Sequence, residues 1–166
     1  MKLKIKRPII FFDLETTGLQ ISKDRIVEIS ILKIFPNGNK ELKTWLINPT
    51  IPIPKEITEI HGISDEKIKN EPKFKDIAHD INELIHNCDL AGYNSNKFDI
   101  PLLTEEFLRV GIDFNMKNRK AIDVQNIFHK LESRTLNGAY KFYCGKNLEG
   151  AHSAEADTIA TYEVLL

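Results

Sequence analysis

Four carboxylates and one histidine are divided among three widely separated segments, in a spacing hard to produce by accident. The first pair is Asp13 and Glu15, in Ile9-Ile10-Phe11-Phe12-Asp13-Leu14-Glu15-Thr16-Thr17-Gly18. The third acid is Asp99, in Asn94-Ser95-Asn96-Lys97-Phe98-Asp99-Ile100-Pro101. The last acid and the histidine stand together in Ala151-His152-Ser153-Ala154-Glu155-Ala156-Asp157. Clustered acids cannot all stay ionised unless something neutralises them. Hard divalent cations do so, and a carboxylate-only set suits Mg²⁺ or Mn²⁺. A histidine beside them adds a proton acceptor that works near neutral pH.

The apolar run Ile9–Phe12, closed by Asp13, reads as a buried strand, with Thr16-Thr17-Gly18 as the loop after it. Asp13 and Glu15 are two apart on an extended end, so both face one side. Arg25–Phe35 and Glu41–Ile47 alternate apolar with polar residues around the turn Pro36-Asn37-Gly38-Asn39, the pattern of a hairpin. Thr58–Lys69 reads as short helical turns capped at Ser64. Phe74–His86 carries an apolar stripe at helical spacing. A short strand Asp89–Gly92, a helix Asp99–Val110, a short strand Ala121–Asp123 with Asp123 capping the next helix, and helices Thr135–Tyr143 and Ser153–Leu166 complete the reading. Strands that come first as a group and then alternate with helices imply an α/β chain, a mixed sheet with helices on both faces.

At 166 residues the chain fits a single domain, residues 1–166. Its last residues, Tyr162 to Leu166, stop within a helical pattern, so we expect the N-terminal part of a longer protein. The net charge of −1 advertises no general affinity for nucleic acid, although metal ions can carry the positive charge that a phosphate needs. Between Asp113 and Lys146, however, seven Lys and Arg residues face three acids, which makes either a solvated surface or a phosphate-facing rim. Cys88 and Cys144 have no partner spacing and read as reduced thiols of a cytoplasmic protein. The apolar stretch after Pro8 is too short for a signal peptide or a membrane span.

Taken together, the three acidic segments resemble the DnaQ-like 3′–5′ exonucleases, in the DEDD group whose last motif carries a histidine. Asp13 to Leu19 resembles the first motif, Gly92 to Leu103 the second, and His152 to Asp157 the third, with its five-residue step. Glu28 and Ile60-His61-Gly62-Ile63 also stand where the family carries similar residues. Two departures concern the substrate: Tyr93 stands where many relatives carry His, and the Asn94-to-Asp99 spacing is nearer to repair-type and oligonucleotide-trimming members.

The resemblance implies a ribonuclease-H-like fold, a five-stranded mixed sheet whose second strand is antiparallel. It implies that Asp13, Glu15, Asp99 and Asp157 hold two divalent cations, Mg²⁺ or Mn²⁺, that clamp the attacking and leaving oxygens of an in-line displacement. His152 then acts as general base, a task that suits imidazole with its ordinary pKa of about 6.5. Thr16, Thr17, Gly18, Leu19, His61 and Asn94 are the implied contacts to the terminal nucleotide. The expected activity is removal of 5′-mononucleotides from single-stranded DNA 3′ ends, of the proofreading or repair type. The alternatives are a 3′–5′ exoribonuclease or oligoribonuclease, and a non-catalytic nucleic-acid-binding or polymerase-associated module. Expected partners are DNA or RNA 3′ ends and a DNA polymerase or further domain of the same chain, with no membrane.

Overall fold

The computed structural model describes residues 4–132 and 134–166. These form two compact units, the first ending at Val124 and the second running Gln125–Leu166, and each is described by itself.

The first unit is built on a five-stranded sheet. Its strands are β1 (Ile9–Thr16), β2 (Ile26–Ile34), β3 (Lys40–Leu46), β4 (Asp89–Gly92) and β5 (Ala121–Asp123), in the spatial order β3-β2-β1-β4-β5. β2 runs antiparallel to both β1 and β3, whereas β4 is parallel to β1 and β5 to β4. This is the mixed sheet with one antiparallel strand expected from the sequence. Because β1, β4 and β5 are parallel, their carboxyl ends leave the sheet at one edge, the edge where open α/β sheets place their ligands.

β1 is longer than the apolar run suggests. Pairing with β2 continues through Asp13↔Ser30, Leu14↔Ile29 and Glu15↔Glu28 to Thr16. A strand ends where its pairing ends, and the alternation persists past Asp13: Leu14 and Thr16 stay buried while Asp13 is exposed. Ile10, Phe12 and Leu14 join Ile29 and Ile31 of β2 in the main core.

Between β3 and β4 come α1 (Lys55–His61), α2 (Asp65–Ile68) and α3 (Phe74–Ile85). Ser64 caps α2 by accepting from the Lys67 amide. The stripe Phe74, Ile77, Ala78, Ile81, Leu84 and Ile85 of α3 is buried, as its spacing requires. α4 (Asp99–Arg109) sets Ile100, Leu102, Leu103 and Phe107 into the same core. Phe107 meets Phe74 edge-on at 5.3 Å and stacks on Phe114 at 5.1 Å, joining α3 to α4. Removing such a fully buried ring costs about 3–5 kcal/mol.

The second unit holds most of α5 (Val124–Leu131), with α6 (Leu136–Cys144) and α7 (Ala154–Leu165). Thr135 caps α6 by accepting from the Gly138 amide, and Gly145 ends it in the left-handed conformation with φ 67°. Tyr140 and Lys146 both donate to the Glu163 carboxylate, which ties α6 to α7. Cys88 is buried and Cys144 partly buried, both as free thiols. Among the described residues no helix is long and apolar enough to cross a membrane.

Candidate active site

Asp13 and Glu15 project from the face of β1 opposite the core residues Phe12 and Leu14. Across the ladder Glu15 stands opposite Glu28, so this face concentrates negative charge. Asp99, the first residue of α4, is 5% exposed. Burial, and next the charge of Asp13, push its carboxyl up to about 6, while backbone amides of Asp99 and Leu14 oppose the rise. Burial also raises Glu15; His61 pulls it down, and Asp13 and Glu28 push it further up. The structure therefore brings Asp13, Glu15 and Asp99 into one electrostatic cluster.

Among the described residues, no group of three or more His, Cys, Asp or Glu side chains is arranged to hold a metal ion. Mutual repulsion is the physical reason to expect such acids to stand apart. The donor set nevertheless fits a hard cation. It consists of carboxylates alone, and a positive charge would remove the penalty that burial and Asp13 impose on Asp99.

The loop 17–25 after β1 is closed on itself by Asp24. The Thr17 hydroxyl donates to Asp24 Oδ1 at 2.9 Å, and the Gln20 amide to Oδ2 at 2.7 Å. The Arg25 amide donates back to the Thr17 hydroxyl at 3.0 Å. The Thr16 hydroxyl donates to the Gly18 carbonyl at 2.7 Å. A Cβ on Gly18 would lie 2.7 Å from Asp24 Oδ2, so any side chain here would have to displace the aspartate packed over it. Leu19 is 80% exposed beside this turn.

His61, at the end of α1, reaches the same loop. Its Nδ1 accepts from the Ile63 amide at 3.0 Å, which leaves Nε2 as the donor to the Thr16 carbonyl at 3.3 Å. The ring thus braces the backbone of Thr16.

The loop leading to Asp99 is fastened from β5. Asp123, read in the sequence as a helix cap, accepts from the Asn94 amide through Oδ1 at 3.0 Å and from the Asn96 amide through Oδ2 at 3.2 Å. Asn94 has φ 59°, a left-handed position that asparagine tolerates better than most residues. A Cβ on Gly92 would come within 2.6 Å of Ser95 Cβ, so the loop folds back closely over the end of β4.

In the second unit His152 is exposed and adopts φ 74°, directly before Ser153, the N-cap of α7. Asp157, half-buried, lies in the first turn of α7, and its amide donates to the Ser153 carbonyl at 2.9 Å. Two of the cations between 113 and 146 have internal partners. Arg119 donates to the Ile85 carbonyl and lies over the Phe114 ring, and Lys146 pairs with Glu163.

Sequence reasoning missed Asp24 as a loop closure, and it left Asp123 out of the site. Asp24 had a local signal, an acid seven residues after Thr17 at the return of the loop. Asp123 had none, because the amides it holds lie 29 and 27 residues earlier in the chain.

A model of the exonuclease family RNase_T matches residues 10–165. The DNA polymerase III subunit epsilon of Treponema pallidum is 32% identical over 163 residues, a match that takes in 92% of this chain and 72% of that protein. The 3′–5′ exonuclease DinG of Staphylococcus epidermidis is 28% identical over 160 residues, 93% of this chain but 17% of that one. A crystal structure of E. coli exonuclease I in complex with a dA16 oligonucleotide superposes with a TM-score of 0.70 at 18% identity, over 96% of this chain and 41% of that one. At that identity the likeness speaks for the fold, which is ribonuclease-H-like. The family match, the epsilon relative and the sheet with its acidic edge agree, and the chain belongs to the RNase_T exonuclease family as a 3′–5′ exonuclease of the DnaQ-like, epsilon type.

Proposed function

We propose that the chain hydrolyses the last phosphodiester bond of a single-stranded DNA 3′ end and releases 5′-mononucleotides. The observation that carries this reading is the cluster of Asp13, Glu15 and Asp99 at the carboxyl edge of the sheet, with Asp99 pushed up to about 6 by its burial and by Asp13. Such a cluster repels a phosphate unless cations intervene. Asp13, Glu15, Asp99 and Asp157 would hold two divalent cations, Mg²⁺ or Mn²⁺. When bound, these supply Lewis acidity at the phosphoryl group and neutralise the charge that develops there.

The residues of the chain then divide the work. The terminal nucleotide lies against Thr16, Thr17, Gly18 and the exposed side chain of Leu19. His61 keeps the Thr16 carbonyl in place, and Asn94 lies in the loop that leads to Asp99. His152 takes a proton from the attacking water. The new P–O bond forms as the bond to the 3′-oxygen of the penultimate nucleotide breaks. The 3′-oxygen of the shortened strand takes a proton from solvent to regain its hydroxyl, His152 returns its proton to solvent, and the phosphate departs on the 5′ oxygen of the released nucleotide.

The choice of single-stranded DNA is supported by the oligonucleotide bound to exonuclease I and by the epsilon relative. That relative's name also supports a polymerase, or a further domain of the same chain, as the setting in which this domain works. Digestion of matched 3′-labelled DNA and RNA oligonucleotides with Mn²⁺, beside a chelator control, tests the reading. We expect DNA to be shortened from its 3′ end to mononucleotides. Faster RNA digestion would move the assignment to an exoribonuclease, and no metal-dependent digestion of either would remove the catalytic reading.

A further inference from the structure

α4 begins at the active site with Asp99, but its other end is anchored by charges that the proposed chemistry does not use. Glu106, two turns further along, is 1% exposed. Its Oε1 accepts from Arg25 Nε at 2.7 Å and from an Arg109 Nη at 2.8 Å. Arg25 is the last residue of the loop 17–25. Arg109 also donates to the carbonyls of Asp24 at 2.9 Å and Ile21 at 3.2 Å, so one guanidinium joins the loop backbone to α4. Glu105 flanks the same guanidinium at 3.4 Å from Nε.

Resting on the exonuclease reading, we infer that Arg25, Glu106 and Arg109 form a positioning triad. It holds the loop that receives the terminal nucleotide at a fixed distance from Asp99. The argument is geometric. Gly18 and Leu19 sit on a loop of irregular backbone, and such loops move unless something outside them fixes their carbonyls. The Asp24 carboxylate closes the loop on itself through Thr17 and Gln20, and these bonds reach no other element. The triad does, and the element it chooses is the helix whose first residue is Asp99. Because a helix is stiff over three turns, one end of α4 presents a candidate metal ligand while the other end registers the substrate loop against it.

The chemistry of the triad favours registration over stability. A buried ion pair is a weak source of stability, and its best-attested use is to select one arrangement over others. Both arginines converge on the single oxygen Oε1 of Glu106, so the loop residue Arg25 and the helix residue Arg109 are held against one atom.

The test uses the full chain with Glu106→Gln, which keeps the shape and removes the charge, and Arg109→Lys, which keeps the charge and removes the fork. Amide hydrogen exchange in 17–25 gives a readout independent of catalysis. We expect the Lys23, Asp24 and Arg25 amides to exchange about tenfold faster in both variants, with the β1–β2 ladder unchanged. On a 3′-labelled DNA oligonucleotide we expect KM to rise about tenfold with kcat within about twofold, the signature of lost substrate positioning. Unchanged exchange in the loop would overturn the inference. So would faster exchange throughout the first unit, or a lower kcat at constant KM, because a merely structural pair gives less folded enzyme of ordinary affinity. If the wild-type chain digests no oligonucleotide, the exonuclease reading falls and the exchange data alone decide the triad.

Discussion

Asp99 is the residue on which folding and chemistry pull in opposite directions. Its carboxyl is pushed up to about 6 in the folded chain by burial and by Asp13, against an ordinary value of 3.8. Between those values the folded state holds a proton that the unfolded state has released, so stability of the metal-free protein falls as pH rises from about 4 to 6 and stays reduced above that. Asp99→Asn removes the penalty. Denaturant titrations without divalent ions should find the variant more stable at pH 7, by roughly 1–3 kcal/mol, with the gap closing below about pH 4. Equal stability at both pH values would contradict the burial argument. His152 needs a different substitution strategy. Its φ of 74° means that alanine would add backbone strain to the loss of imidazole. Asparagine tolerates that conformation, so His152→Asn isolates the chemical role. Single-turnover rates with saturating Mn²⁺ should drop by roughly 10²–10⁴-fold and lose the rise with pH that a general base imposes. A variant that keeps both rate and rise would show that the proton goes elsewhere.

Elements were legible in proportion to how local their causes are. α3 was readable because its apolar stripe repeats within one segment, and the β2–β3 hairpin because its alternation and turn lie side by side. β1 runs four residues beyond its apolar run, and acids on its open face resemble a strand end until the partner strand is known. Asp13, Glu15 and Asp99 stand out in the sequence as candidate ligands because carboxylates have few other reasons to recur in such company, and the fold adds that they act on one another electrostatically. The fastenings of the two loops were not legible. Asp123 acts across 29 residues and Glu106 across 81, and no local pattern announces either contact. These fastenings carry a prediction at the scale of the loop. In Gly18→Ala the new methyl meets Asp24 Oδ2 at 2.7 Å, too close to be accommodated in place. The aspartate must leave Thr17 and Gln20, or the loop must shift, at a cost of about 1–3 kcal/mol. We expect a small fall in melting temperature and a large fall in activity, and a variant with wild-type turnover would show that loop closure is dispensable.

For the whole molecule, the acids set the terms on which it meets ions. EDTA should stop digestion and Mg²⁺ or Mn²⁺ should restore it. Ca²⁺ should bind and support little turnover, because its larger and looser shell does not enforce in-line geometry. Thermal melts add a check that needs no substrate. Any ion that binds only the folded chain raises its melting temperature, and the rise should be greater at pH 7 than at pH 5, where Asp99 holds a proton in the folded state. Rates with Ca²⁺ equal to those with Mg²⁺, or a pH-independent melting shift, would count against the clustered carboxylates as the ion site. The closures made by Asp24 and Asp123 have a further consequence for anyone who maps this domain by genetics. A screen for inactive mutants should return both of them beside the proposed ligands Asp13, Glu15, Asp99 and Asp157, and a charge count alone would not tell a clasp from a ligand. Ion titrations of the inactive mutants would sort them, since losing a clasp leaves the ion sites intact and losing a ligand does not.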